Sequence, residues 1–352
     1  MDSRELRENF VKIYEGEEKE VRAFSVCPSV RVCGINADGF DCAAIAVSPD
    51  TVTVIRPTDG NDFKIIKSNN DVMYRCRNDL LKRCNEPESV KQLFEAVSMM
   101  KGGISGADIL FVNSVDDTDF QTDLFSLSAA MSMISKNRLP SVEEMGILTN
   151  NPRLIDLVTE SLLFSRKNCV LFKHKDGFYE NVALYLSDCK LIVFKIMAVK
   201  ENISVQIKNA ALKIKDSTRT AAADRYEEYC LHERERSECL LRELKNNPFP
   251  TDTAARIIRD SSYELFSLCG RYGASLRSIY SAAERVGNSC FIAAAYDLGG
   301  ICAAVKNEYV DGFIKDVSDL YEKREGSKPD IYICDSADSG VELNLGDITV
   351  TL

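Results

Sequence analysis

Between Gly177 and Pro248 the chain contains neither glycine nor proline. An interval of that length without either residue cannot be assembled from short pieces joined by tight turns, so it must carry long, uninterrupted elements. Its first part, FYENVALYL and then KLIVFKIM, is rich in β-branched and aromatic residues and predicts strands. A further strand, NCVLFKH, precedes it across a Lys-Asp-Gly turn. From about Ile207 to Leu244 the interval reads as helix. Its stretch RYEEYCLHERERSE, with charges of both signs, predicts a solvated face laced by pairs four residues apart rather than a binding patch.

The flanks mix the two element types without a regular alternation. Leu6, Phe10, Ile13 and Tyr14 recur at helical spacing, and VRAFSVCPSVRV then alternates as a strand. The segment CAAIAVSPDTVTVIRP, interrupted at Ser-Pro-Asp, predicts a hairpin, followed by a strand at FKIIKS. ESVKQLFEAVSMM is an amphipathic helix stopped by glycine, ADILFVNS a strand, and LFSLSAAMSMIS a buried helix. RLIDLVTESLLF after Asn-Asn-Pro is another amphipathic helix. The last third reads as helices at 252–269 and 272–285, strands SCFIAAAY and ICAAV around Gly299-Gly300, a helix at 311–323 and the strand DIYICD. This ββαβ ending predicts a ferredoxin-like unit within an α+β chain of two domains, 1–187 and 188–352.

Composition narrows the function classes. No run approaches the roughly 20 apolar residues of a membrane helix, and the charged start MDSRELRENF is unlike a signal peptide, so a soluble cytoplasmic protein with no membrane partner is expected. The 13 cysteines are scattered without a C-x-x-C, and the two histidines, His174 and His232, lie far apart, which predicts buried free thiols rather than a zinc site. A net charge of −10, with basic residues interleaved among acidic ones, argues against a nucleic-acid partner.

Seven segments then fall in an order that resembles the galactokinases of the GHMP kinase superfamily. ENFVKIYE resembles the family's opening helix, and PSVRVCGINADGFDCAAIAV resembles its first signature. VKQLFEAVSMMKGGISGADILFVNSV is similar to the helix and strand before the phosphate loop, and LFSLSAAMSMIS to the Gly-Leu-Ser-Ser-Ser-Ala-Ala-Leu motif. ASLRSIY, AAYDLGGICAAV and KPDIYICDSADSG are similar to the Ser-Leu-Arg helix, the glycine-rich third signature and the closing strand.

The resemblance implies a two-domain GHMP-kinase-like fold with a ferredoxin-like C-terminal domain, and transfer of phosphate from ATP with Mg²⁺ to the anomeric hydroxyl of a galactose-like sugar. It places Asp156 at the catalytic carboxylate and Arg31 beside the reacting groups. Asp38 and Asn36 fall at the sugar, Ser126, Ser128, Gly299 and Gly300 at the nucleotide, and Ser128 at the metal. Residue chemistry leaves other readings open: Asp156 is an acid in the first turn of a helix, and Gly299-Gly300 is a turn between strands. Several positions depart from the family. The signature Glu-His pair falls on Ile35 and Asn36, and Arg153 replaces the glycine before the catalytic Asp. The phosphate loop has no glycine between Ser114 and Ser128 and carries Asp116, Asp117, Asp119 and Asp123. A Cβ blocks close approach of backbone to phosphate, and carboxylates repel a triphosphate. The expectation is therefore a galactokinase-like protein with impaired or altered catalysis, the alternative being a non-catalytic sugar-binding or regulatory protein on the same fold.

Overall fold

A computed structural model describes residues 3–15, 20–35, 40–48, 50–67, 70–113, 120–140, 144, 164–176, 178–196, 211, 225–295 and 299–345. Three sheets organise them. Strands β1 (Arg22–Val26), β4 (Thr51–Thr58), β5 (Asp62–Lys67), β6 (Asn70–Arg77), β7 (Gly106–Asn113) and β14 (Val341–Leu343) form the first, in the order β14-β1-β4-β7-β5-β6. Only β5 and β7 run parallel within it. Alternation along its strands supplies two apolar faces. Val52, Val54 and Leu110 meet Leu6 and Phe10 of helix α1 (Ser3–Tyr14). On the other face Ile55, Ile109 and Phe111 meet α2 (Glu88–Met100) and α3 (Phe120–Lys136) through Leu93, Phe94, Phe125 and Met131.

The second sheet, β2 (Ser29–Gly34), β3 (Cys42–Ala46), β8 (Cys169–Lys173) and β9 (Tyr179–Ala183), is antiparallel throughout. Two sequence expectations need correction here. VRAFSVCPSVRV is two strands, because Pro28 lacks the N–H a continuous ladder needs, and the chain changes sheet there. CAAIAVSPDTVTVIRP is not a hairpin, since β3 and β4 belong to different sheets. Instead β1 pairs with β4 and β2 with β3, so residues 22–58 make one long hairpin that bends from the first sheet into the second. Across its tip the Ile35 N–H donates to the Asp41 carbonyl at 3.2 Å.

The third sheet has the order β11-β12-β10-β13, built from β10 (Cys189–Lys195), β11 (Ser289–Ala295), β12 (Gly300–Lys306) and β13 (Asp330–Cys334). In chain order this is 2-3-1-4, the ferredoxin-like arrangement expected from sequence. The second sheet covers one of its faces, where Val30, Val32, Ile45 and Phe172 meet Leu191, Val193 and Ala293. Helices α4 (Arg225–Asn246), α5 (Asp252–Leu268), α6 (Gly270–Val286) and α7 (Val310–Glu325) complete the domain. Leu276, Tyr280, Phe313 and Val317 fill its other face. The helix expected from 207 is described at residue 211 and over Arg225–Asn246. That expected at 153–164 lies outside the described residues apart from Phe164. No helix among the described residues is long and apolar enough to cross a membrane.

Gly300 permits the central pairing of the third sheet. A Cβ there would lie 1.8 Å from the Phe194 carbonyl oxygen, where Gly300 pairs with Lys195. Both are backbone positions that cannot yield without breaking the ladder. Gly300→Ala is expected to cost roughly 3 kcal/mol or more, read as a lower urea midpoint. An unchanged midpoint would show that β10 and β12 do not approach this closely.

Candidate functional site

The hairpin tip is held from beneath by a buried carboxylate. Gly34 adopts φ +85°, and a Cβ on it would fall 2.4 Å from the Asp41 carbonyl oxygen, so glycine is required to turn the chain into the loop. Its N–H donates to Glu233 Oε2 at 2.7 Å, and Ser261 Oγ donates to the same oxygen at 2.8 Å. Arg236 Nη1 donates to Glu233 Oε1 at 2.8 Å, while its Nη2 reaches Glu264 Oε2 at 2.6 Å. Glu264 in turn meets His232 Nδ1 at 2.9 Å. On the far side of the loop Ser237 Oγ lies 3.2 Å from the Asp41 carbonyl, and Asp41 Oδ1 accepts the Lys175 N–H at 2.8 Å. Both ends of the loop are thus tied to α4 and to the turn after β8.

This arrangement corrects the reading of RYEEYCLHERERSE as a solvated face. Tyr229, Cys230, Glu233, Ser237, Leu240 and Leu244 are all buried. Their steps of three and four residues mark a core-facing stripe in which Glu233 takes a position usually apolar. That stripe was present in the sequence, hidden by the surrounding charge.

Arg31 lies on β2, half-buried, and its Nη1 donates to the Gly34 carbonyl at 3.1 Å. Its charge also reaches Tyr229 and Cys269. Burial pushes the Cys269 thiol up to about 12, while Arg31 works in the opposite direction. Burial and then Glu233 hold the Tyr229 phenol well above its ordinary value, again against Arg31. Burial, Glu233 and Cys42 do the same to the Cys33 thiol. For Arg236, burial lowers the pKa, but hydrogen bonds and charge from Glu233 and Glu264 raise it on balance. Arg31 thus has two neutral donors, the Tyr229 phenol and the Cys269 thiol, within its field. The Tyr229 hydroxyl is buried without a hydrogen-bond partner among the described residues. Such a set suits a neutral hydroxylated molecule better than a metal ion.

The loop's two flanking side chains, Ile35 and Phe40, share one core with Phe194, Ala294 and Ile301. The hairpin tip therefore rises from the same apolar base as the segment before Gly299-Gly300. Gly299 has φ +74°, and its carbonyl accepts the Ile196 N–H at 3.0 Å, so this pair makes the turn into β12. Ile35 itself is buried in that base. Asn36, Asp38 and Asp156 lie outside the described residues, as do Asp116, Asp117 and Asp119.

Ser126 and Ser128 sit elsewhere, on α3 against the first sheet, and both are fully buried. Ser126 Oγ is 2.7 Å from Thr53 Oγ1 and near the Phe24 and Thr51 carbonyls. Ser128 Oγ donates to the Leu124 carbonyl one turn back at 2.7 Å. In the first turn of α3 the buried Asp123 meets Lys67 Nζ at 2.5 Å. A carboxylate there already satisfies the positive end of the helix.

Compared by sequence, the chain matches no family model and no curated protein. Compared by structure, it is similar to solved kinases along nearly its whole length. Lactococcus lactis galactokinase complexed with galactose superposes with a TM-score of 0.79 at 15% identity, over 95% of this chain and 98% of that one. Methanococcus jannaschii mevalonate kinase gives 0.62 at 13% identity, over 92% and 100%. Mevalonate-3-kinase from Thermoplasma acidophilum gives 0.57 at 14% identity, over 91% and 97%. The chain has the GHMP-kinase fold.

Removing the buried carboxylate would strand its partners. Glu233→Ala leaves the Arg236 guanidinium, the Gly34 N–H and the Ser261 hydroxyl short of an acceptor, and is expected to cost about 3–5 kcal/mol in urea unfolding. Ser261→Ala, which removes one donor among several, is expected to cost about 1 kcal/mol. Equal, small losses in both variants would contradict the central place given to Glu233.

Proposed function

We propose that this chain is a galactokinase-like sugar-binding protein in which phosphoryl transfer from Mg·ATP is weak or lost. The observation that carries this reading is the fate of the two α3 hydroxyls expected at the nucleotide. Ser126 bonds into the first sheet and Ser128 to its own helix. The described part of the phosphate-loop helix therefore does not fit Mg·ATP. Both of those hydroxyls are engaged inside the protein, the first turn of the helix already carries the buried Asp123, paired with Lys67, and the sequence from Ser114 to the helix carries no glycine.

The sugar side is better equipped. The chain on either side of Asn36 and Asp38 is clamped at Gly34 and Asp41, with Arg31 bonded to the Gly34 carbonyl and the buried Tyr229 hydroxyl within its field. Carboxylate, amide and phenol are the groups that recognise sugar hydroxyls. With Ile35 and Asn36 in place of the family's Glu-His pair, the proposed ligand has fewer or differently placed hydroxyls than galactose. A site built to pair a hydroxyl discriminates strongly against a ligand that leaves its polar groups unpaired. If any turnover occurs, Asp156 is the proposed carboxylate orienting the accepting hydroxyl, with Arg31 stabilising the transferred phosphoryl.

Isothermal titration with Mg·ATP is expected to show no binding in the micromolar range, and a thermal-shift panel of hexoses and deoxyhexoses is expected to yield at least one stabilising ligand. At 100 times its Kd such a ligand adds about 2.7 kcal/mol. Arg31→Gln should weaken that ligand without lowering the melting temperature of the free protein. Micromolar Mg·ATP binding, or galactose phosphorylation unchanged in Asp156→Asn, would overturn the reading.

A further inference from the structure

A recess lies on the helical side of the C-terminal domain, among α5, α6 and α7. It has a volume of about 550 Å³ and is lined by Phe266, Ser267, Gly273, Arg277, Ser278 and Arg324 among others. Gly273 shapes its floor: a Cβ there would lie 2.0 Å from the Phe266 carbonyl oxygen, so the α5 and α6 backbones meet with no side chain between them.

Three observations make this more than a surface dent. The chain carries a net charge of −10, yet the described residues lining the recess include two arginines and no Asp or Glu. Several arginines elsewhere are matched by carboxylates, as Arg22 is by Glu342, Arg56 by Asp108 and Arg236 by Glu264. Arg277 and Arg324 have no ion-pair partner among the described residues, and they come from different helices, α6 and α7. Finally, Ser278 is only 8% exposed and its Oγ has no hydrogen-bond partner among the described residues. A buried hydroxyl left unpaired costs about 1–3 kcal/mol, a penalty that a ligand oxygen would relieve. Ser267 differs, since its Oγ donates to the Glu264 carbonyl at 2.6 Å.

Two guanidiniums from different helices and a buried, unpaired hydroxyl lining one concavity match a tetrahedral dianion. Guanidinium forks pair with phosphate oxygens through charge-assisted hydrogen bonds, and two of them balance a doubly charged group where one carboxylate would leave a cation in excess. We propose that the recess formed by Arg277, Arg324 and Ser278 binds a phosphoryl group, carried by inorganic phosphate or a small organic phosphate. The site is separate from the hairpin tip and does not depend on the function proposed for it.

The test uses the full chain, titrated with inorganic phosphate and with glycerol 2-phosphate at constant ionic strength. Saturable binding is expected, weakened at least ten-fold in Arg277→Gln/Arg324→Gln and also weakened in Ser278→Val, but retained in Arg31→Gln. Both arginines are exposed, so the double variant should keep the wild-type circular dichroism and urea midpoint. Tighter binding of glycerol 2-phosphate would assign the organic source, and equal binding free phosphate. Affinity should fall between 0.05 and 0.5 M NaCl as the charges are screened. No binding at 10 mM of either probe, unchanged affinity in the double variant, or loss in Arg31→Gln would overturn the proposal.

Discussion

The carboxylate of Glu233 is the contact on which the geometry of the hairpin tip depends. It is fully buried on a helix and accepts from a backbone N–H, a serine and an arginine at once. Burying a carboxylate costs several kcal/mol unless its oxygens are satisfied and its charge balanced. Here three donors and one cation do both. Specificity of position follows, because the Gly34 amide has a single acceptor to find, and finding it sets where the chain leaves β2. Arg236 extends the same restraint to Glu264 and His232, so α4 and α5 are joined by charge as well as by packing.

The start of α3 is organised differently. Helix α3 packs its serines inward, and the carboxylate of its first turn is held by Lys67 from the end of β5. A helix N-terminus attracts anions because its first N–H groups lack partners within the helix. Once a fixed internal carboxylate occupies that field, an incoming phosphate gains less from it. The two regions thus differ within one fold: a clamped hairpin tip in one and a self-satisfied helix in the other. Fold alone does not decide activity; the side chains of the site do.

Much of this architecture was legible in the sequence. The strands at 106–113, 169–173 and 289–295 and the helices at 88–100, 252–268 and 310–325 follow from periodicity and glycine stops, and the ferredoxin-like order follows from their sequence. Pairing was harder to read. Pro28 and the Ser-Pro-Asp segment at 48–50 both look like turns, yet they mark where two paired strands cross together from one sheet to another, a nonlocal event with no local signature. Strand β6 went unread because NDVMYRCR mixes charge with apolar residues, and β14 because it is three residues long. Glu233 was missed for a chemical reason. Charge-rich composition normally signals solvent exposure, whereas the spacing of its neighbours recorded burial, and the two signals conflict where a polar group serves as a core contact.

The difference between the two regions is tested most directly by hydrogen exchange on the intact chain, with a stabilising hexose or deoxyhexose and, separately, with 5 mM Mg·ATP. The sugar should slow exchange over residues 29–35 and 40–47 by at least ten-fold, through further restraint of the hairpin tip, while Mg·ATP leaves the first turn of α3, residues 120–124, unchanged. Protection of residues 120–124 by Mg·ATP, with none at the hairpin tip under any sugar, would contradict it.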